Sequence, residues 1–280
     1  MPENSTISQQ PRGLLMTLPA KAENVSVVRH ALAGLAEEIG MDEAGLADLK
    51  TVVTEACMNV AVHAYEGGSG PMFVEAQPDE DGLTVTVRDR GIGIQPQADV
   101  ERGSLRLGLS LIAALSTSFA ISGGVESGTE VKMRLPLRGG AAGSIDGDPV
   151  RMKADLHETT ELVTDRPELL GPVLARVVAA LAARRDLSVD RVSDAVLVTD
   201  AIADAAPSRF ADGRARLALD DRGEGIALRL GPMDPGAASE IHEELQVPDV
   251  GGSLEALADE LSVEESGDGE YLLIRFAAAP

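Results

Sequence analysis

Tryptophan is absent from the 280 residues, and with only two tyrosines and four phenylalanines the aromatics make up 2% of the chain. A binder that stacks nucleic-acid bases on aromatic side chains is thereby excluded, and the core must be aliphatic. Basic residues are scarce as well: 24 Lys and Arg stand against 46 Asp and Glu, for a net charge of −22. The charge is −9 over residues 1–150 and −13 over residues 151–280. Such a field repels nucleic acid and anionic membranes and favours basic partner surfaces. The single cysteine, Cys57, rules out a disulfide framework and fits a reducing cytoplasm. It sits between Ala56 and Met58, where a small buried apolar role is expected. No apolar run reaches the roughly 20 residues a membrane span needs. Residues 1–12 are polar, so a disordered tail is expected there and not a signal peptide. A P-loop, Gly-x-x-x-x-Gly-Lys-Ser/Thr, is also missing.

What is present is a regular alternation of helical and strand patterns. A short apolar run, Gly13 to Leu18, predicts a first strand. Val25, Val28, Leu32, Leu35 and Ile39 form one helical stripe, which Gly40 ends. Asp42 is placed to cap a helix over Glu43 to Ala64. Strands Met72 to Gln77 and Leu83 to Asp89 flank a turn-forming Pro78-Asp79-Glu80-Asp81-Gly82. A polar stretch from Gln95 to Arg106 leads to a helix over Leu107 to Ser116, then to a hairpin of Phe119 to Ser122 and Glu130 to Leu137. Antiparallel strands with helices grouped between them predict an α+β two-layer sandwich.

Residues 138–151 have the Gly/Ala-rich composition of a linker. Over residues 152–280 the order of elements returns: a helix over Leu169 to Ala183, then Val196-Leu-Val-Thr-Asp200-Ala in the manner of Val52-Val-Thr-Glu55-Ala. A hairpin of Arg216 to Asp220 and Ile226 to Leu230 follows, then a helix over Leu254 to Leu261 and a closing hairpin through Tyr271 to Phe276. This reads as a tandem duplication, with one domain over residues 13–137 and a diverged copy over 152–280.

Two boxes in the first copy carry chemical information. Glu55, Asn59 and His63 recur every four residues, hence on one helical face, within Glu55-Ala-Cys-Met-Asn-Val-Ala-Val-His-Ala-Tyr65. Thirty residues past Asn59, Asp89-Arg-Gly91-Ile-Gly93 closes a strand with an acid and a glycine turn. Together they resemble the main boxes of the GHKL (gyrase and histidine-kinase-like) superfamily, whose Bergerat-type fold binds ATP. The resemblance implies ATP and Mg2+ as cofactors. Asn59 would supply a neutral oxygen to the metal, and Glu55 would orient or deprotonate the attacking hydroxyl. Asp89 would accept from the adenine exocyclic amine, where guanine presents an oxygen, while Gly91 and Gly93 turn beneath the base. His63 is open to a packing or capping role, and Tyr65 to packing.

A third box is resembled less well. Gly103 and Leu107-Gly108-Leu109 precede a helix whose N-terminus would meet the phosphates, but Arg106 stands where the family has a glycine. Arg106 suits a phosphate contact and a solvated position equally. Thr129 matches a position near the adenine, and equally suits a plain strand residue.

The second copy departs from the pattern. Asp200 and Asp204 stand where Glu55 and Asn59 do, and Pro207-Ser208 replace Val62-His63. Asp221-Arg-Gly-Glu-Gly225 imitates the second box but lies only 17 residues past Asp204, so it is expected as a hairpin turn. Pro232 then falls at the place of Asp89, and proline offers neither a side-chain acceptor nor a backbone donor.

Within the superfamily the first copy looks most like the anti-sigma-factor serine kinases. No phosphoacceptor helix pair or transducer domain of the sensor-kinase or topoisomerase kind is seen. That likeness implies a cytoplasmic partner-switching protein that binds a sigma factor and phosphorylates a small anti-sigma-factor antagonist, with no direct nucleic-acid or membrane contact. A fused second copy would make an internal pseudo-dimer. The alternative is a nucleotide-gated or non-catalytic scaffold that sequesters its partner.

Overall fold

The computed structural model describes residues 13–65, 68–93, 103–124, 127–137, 159–223, 225–246 and 253–277, and for 103–107 the backbone alone. In β1 (Leu14–Pro19) the buried Leu14, Met16 and Leu18 alternate with the more exposed Leu15 and Thr17, the period of a strand with one covered face. There follow α1 (Asn24–Glu38), α2 (Glu43–His63), β2 (Pro71–Pro78), β3 (Gly82–Asp89), α3 (Gly103–Leu115), β4 (Ser118–Gly124) and β5 (Gly128–Pro136). The second half runs β6 (Thr160–Thr164), α4 (Leu170–Arg184), α5 (Val189–Ala205), β7 (Ala215–Asp220), β8 (Gly225–Met233), α6 (Ala237–Gln246), β9 (Glu260–Ser266) and β10 (Gly269–Ala277).

Among the described residues ten strands form one antiparallel sheet in the order β4-β5-β3-β2-β1-β6-β7-β8-β10-β9. Counted outward from the middle, the two halves have the same strand order. They meet where Leu14 to Thr17 pair with Thr164 to Glu161. Direct partners share a face, so the register lines up one apolar row through Val131, Val87, Val74, Met16, Leu162, Leu217, Leu230 and Leu272. The helices cover this side, and the buried residues of both halves form one continuous core. Each large aliphatic side chain there contributes about 1.5–3 kcal/mol by leaving water. The opposite face of the first half is polar. There Arg88 pairs with Glu75 and Glu130, and Arg134 with Asp79.

Helices also bridge the halves. Gly34 of α1 lies so close to the Pro172 carbonyl of α4 that any side chain there would collide with it. Arg184, ending α4, donates to the Glu23 carbonyl at 3.1 Å and to Asn24 Oδ1 at 3.0 Å. It also pairs with Asp221, and Arg176 pairs with Glu37.

The α+β architecture is as expected, and most element boundaries agree within a residue or two. Three expectations need correction. The helix expected over Leu254 to Leu261 is only a 3-10 turn, Leu254–Leu257, and β9 begins at Glu260. The true helix is α6, built on Ala237, Ala238, Ile241 and Leu245. Its apolar stripe is sparse and set in acidic sequence, while Leu254 and Leu257 are too few to sustain a helix. Strand β6 had no counterpart in the sequence reading, because its five residues are specified by pairing with β1 and β7 more than by their own pattern. Finally, α3 begins at Gly103, four residues before the expected Leu107. The linker at 138–151, the tail at 1–12 and the stretch 94–102 lie outside the described residues.

Candidate functional site

Helix α2 starts on Asp42, whose carboxylate accepts from the Gly45 amide at 2.8 Å, satisfying one of the donors every helix start leaves open. Leu49, Val52, Val53, Ala56, Cys57 and Val60 turn inward. Burial pushes the Cys57 thiol up to about 12, so it is an inert core group. That inward stripe leaves Glu55 and Asn59 on a partly exposed flank, with His63 exposed at the last turn. Helix α3 crosses this flank. A Cβ at Gly108 would lie 2.7 Å from Glu55 Oε2 and 3.7 Å from both terminal atoms of the Asn59 amide. The glycine is therefore what lets α3 approach the two polar side chains. Asn59 Nδ2 is buried and has no hydrogen-bond partner among the described residues, a cost that a protein retains where a ligand group completes the pairing.

The second cluster forms at the end of β3. Asp89, 7% exposed, accepts at Oδ1 from the Gly91 amide at 2.8 Å and the Thr129 amide at 3.1 Å. Burial raises its pKa, and these two amides and the Thr129 hydroxyl pull it partway back. The carboxylate is thus oriented by main chain from the loop after β3 and from β5. Gly91 packs on the Ala64 carbonyl, where no Cβ fits. Gly93 takes a φ of +71° against the Gly124 carbonyl, a conformation that costs other residues more. The loop is bonded to the end of α2: Ile92 N–H donates to Ala64 O at 2.9 Å, and Arg90 N–H to the Tyr65 hydroxyl at 2.8 Å.

Of the residues singled out from sequence, Glu55, Asn59 and Gly108 come together, and so do Asp89, Gly91, Gly93 and Thr129. The bonded end of α2 joins the two groups. Gly108 lies within α3 and not at its start, which corrects the expectation that it would precede the helix. Arg106 is likewise on the helix and not before it, and its side chain lies outside the described residues. What the sequence reading missed is the part played by Tyr65 and the Ala64 carbonyl in holding the Asp89 loop.

A family profile described as the histidine kinase-like ATPase domain matches residues 18–135. The serine-protein kinase RsbW of Halalkalibacterium halodurans is 36% identical over 121 residues, which cover 38% of this chain and 73% of that protein. The chain belongs to the histidine kinase-like ATPases. Within them it is similar to further RsbW serine-protein kinases, from Bacillus mycoides and Bacillus cereus, each 36% identical over 77 residues. These shorter matches span 28% of the chain and 48% of each relative. Every candidate site residue of this ATPase-family chain lies inside the matched segment, whereas β6 to β10 lie outside it. Among the described residues no helix is long and apolar enough to cross a membrane.

Proposed function

We propose that residues 13–137 bind ATP with Mg2+ and transfer its terminal phosphoryl group to a serine or threonine of a small anti-sigma-factor antagonist. In the same pathway the chain would otherwise hold a sigma factor inactive. The observation that carries this reading is the meeting of Glu55 and Asn59, whose Nδ2 has no partner among the described residues, beneath Gly108. Glu55 is assigned to take the proton of the attacking hydroxyl. Asn59 fits a nucleotide and its metal: its amide can present oxygen to the ion or nitrogen to a phosphate, whichever way it is turned. Among the described residues no group of three or more His, Cys, Asp or Glu is arranged to hold a metal. That suits an ion whose remaining ligands are phosphate oxygens and water. Bound Mg2+ would offset the charge of the phosphates. Asp89, fixed by two amides, is assigned to the adenine amine, with Gly91, Gly93 and Thr129 around it. The RsbW relatives support the reaction class, being serine-protein kinases by name. The test is transfer of labelled phosphate from ATP to antagonist-type proteins. ATP binding without transfer to any of them would favour the non-catalytic scaffold.

We assign no nucleotide to the second half. Asp221 to Gly223 follow directly on β7 and Gly225 opens β8, and Pro232 sits as many residues into β8 as Asp89 does into β3. Three residues join β8 to α6, whereas thirteen join β3 to α3. Glu270 stands one residue after the start of β10, as Thr129 does in β5. Its carboxylate accepts from the amides of Gly236 at 2.7 Å, Ala238 at 3.1 Å and Ser239 at 3.4 Å. The chain's own anion thus occupies the start of α6, where a phosphate would otherwise be favoured.

The second half then serves as the other member of an internal pseudo-dimer. The mirrored strand order, the β1–β6 pairing and the α1–α4 contact support this. Isolated residues 13–137 would expose the β1 edge and the α1 face, both covered in the full chain, and an open strand edge invites pairing. Light scattering is expected to find that fragment self-associated and the full chain monomeric. A monomeric fragment beside a stably dimeric full chain would reject the pseudo-dimer.

A further inference from the structure

The Tyr65 side chain ties the end of α2, the element proposed to meet the phosphates, to the Asp89 loop, the element proposed to meet the base. Its hydroxyl donates to the Pro71 carbonyl at 2.7 Å and accepts from the Arg90 amide at 2.8 Å. Pro71 opens β2, and Arg90 directly follows Asp89. Gly70 wraps the ring so closely that a side chain there would enter it. Tyr65 itself follows the helix that carries Glu55 and Asn59.

The chain contains its own comparison. Phe210 lies ten residues after Asp200, as Tyr65 lies ten after Glu55. It is buried, and its backbone bridges Met233 at the end of β8, beside the proline that replaces Asp89. Each half thus has a ring shortly after its second helix, Tyr65 two residues past α2 and Phe210 five past α5, and only the ring beside the candidate site bears a hydroxyl. A ring needed only for packing would be served by phenylalanine in both places, since a buried hydroxyl must find partners.

We propose that Tyr65 is a positioning residue, whose hydroxyl sets the Asp89 loop against the end of α2 so that base and phosphates are met in one geometry. This rests on the ATP reading above. Replacement Tyr65→Phe keeps the ring and removes both hydrogen bonds. In the full chain it is expected to bind Mg-ATP about tenfold more weakly, the effect of losing one or two ordinary hydrogen bonds. The preference for ATP over GTP should fall as well, by about threefold or more on the same scale, because the loop that aims Asp89 is loosened. A merely structural role would leave that preference unchanged. In the wild type, hydrogen exchange at the Arg90 amide should be slow before any nucleotide is added, which reads the tether without a variant. Equal ATP affinity and equal base preference in wild type and Tyr65→Phe would overturn the inference alone. An Arg90 amide exchanging as fast as an exposed one would do the same. A wild-type chain that binds no ATP would remove the nucleotide reading and this inference with it.

Discussion

Replacing Glu55 with alanine is expected to lower phosphoryl transfer by about 10²- to 10⁴-fold, the usual contribution of a positioned general base, while ATP binding changes little. The separation follows from what each side chain is assigned to touch. Glu55 is assigned to the incoming hydroxyl and Asn59 to the metal and phosphates, although both lie under the same residue of α3. Asn59→Ala is therefore expected to weaken binding and transfer together. Single-turnover transfer of labelled phosphate, with binding measured separately, distinguishes the two variants. A Glu55→Ala chain that transfers at the wild-type rate would remove Glu55 from the chemistry.

Asp89→Asn should weaken ATP binding by roughly ten- to a hundredfold, the loss of a charge-assisted hydrogen bond of about 1.5–3 kcal/mol. The same change should leave the unliganded protein as stable as before or more so, because an asparagine oxygen can still accept from the Gly91 and Thr129 amides. Burial holds the Asp89 carboxyl above the ordinary aspartate range, so the folded state favours its protonated form. By linkage, that contribution to stability is present below the ordinary aspartate range and is lost as pH rises through the folded value. At neutral pH the wild type thus carries the cost of a buried charge that asparagine lacks. ATP affinity has the opposite dependence: the wild type should lose it as pH falls through the raised value, relative to a flatter Asp89→Asn profile. Thermal melts and ATP titrations across mildly acidic pH check both signs. A variant that melts well below the wild type at neutral pH would show that the charge supports the fold.

How much of this was legible depended on how local each feature is. The Asp42 cap and the hairpin turn, in which Asp79 Oδ1 accepts from the Asp81 and Gly82 amides at 3.0 Å each, are satisfied within three residues, and composition alone announced them. The site boxes were legible because their spacing encodes a helix face and a strand end. What escaped depended on distant partners. Strand β6 exists through β1, which lies far earlier in the chain. The Tyr65 hydroxyl acquires meaning only when Arg90 returns to it, 25 residues on. Helix α6 begins on the carboxylate of Glu270, more than 30 residues later. The expected helix at Leu254 fails for the complementary reason, since its two leucines pack as a single turn beside α5 and α6 and propagate no further.

By the proposed function, one half of this sheet holds a nucleotide and the other half does not. Calorimetric titration of Mg-ATP into the full chain measures it as a stoichiometry. One nucleotide per chain is predicted, with binding weakened by Asp89→Asn and untouched by Glu270→Gln. Two nucleotides per chain, or none, would contradict it.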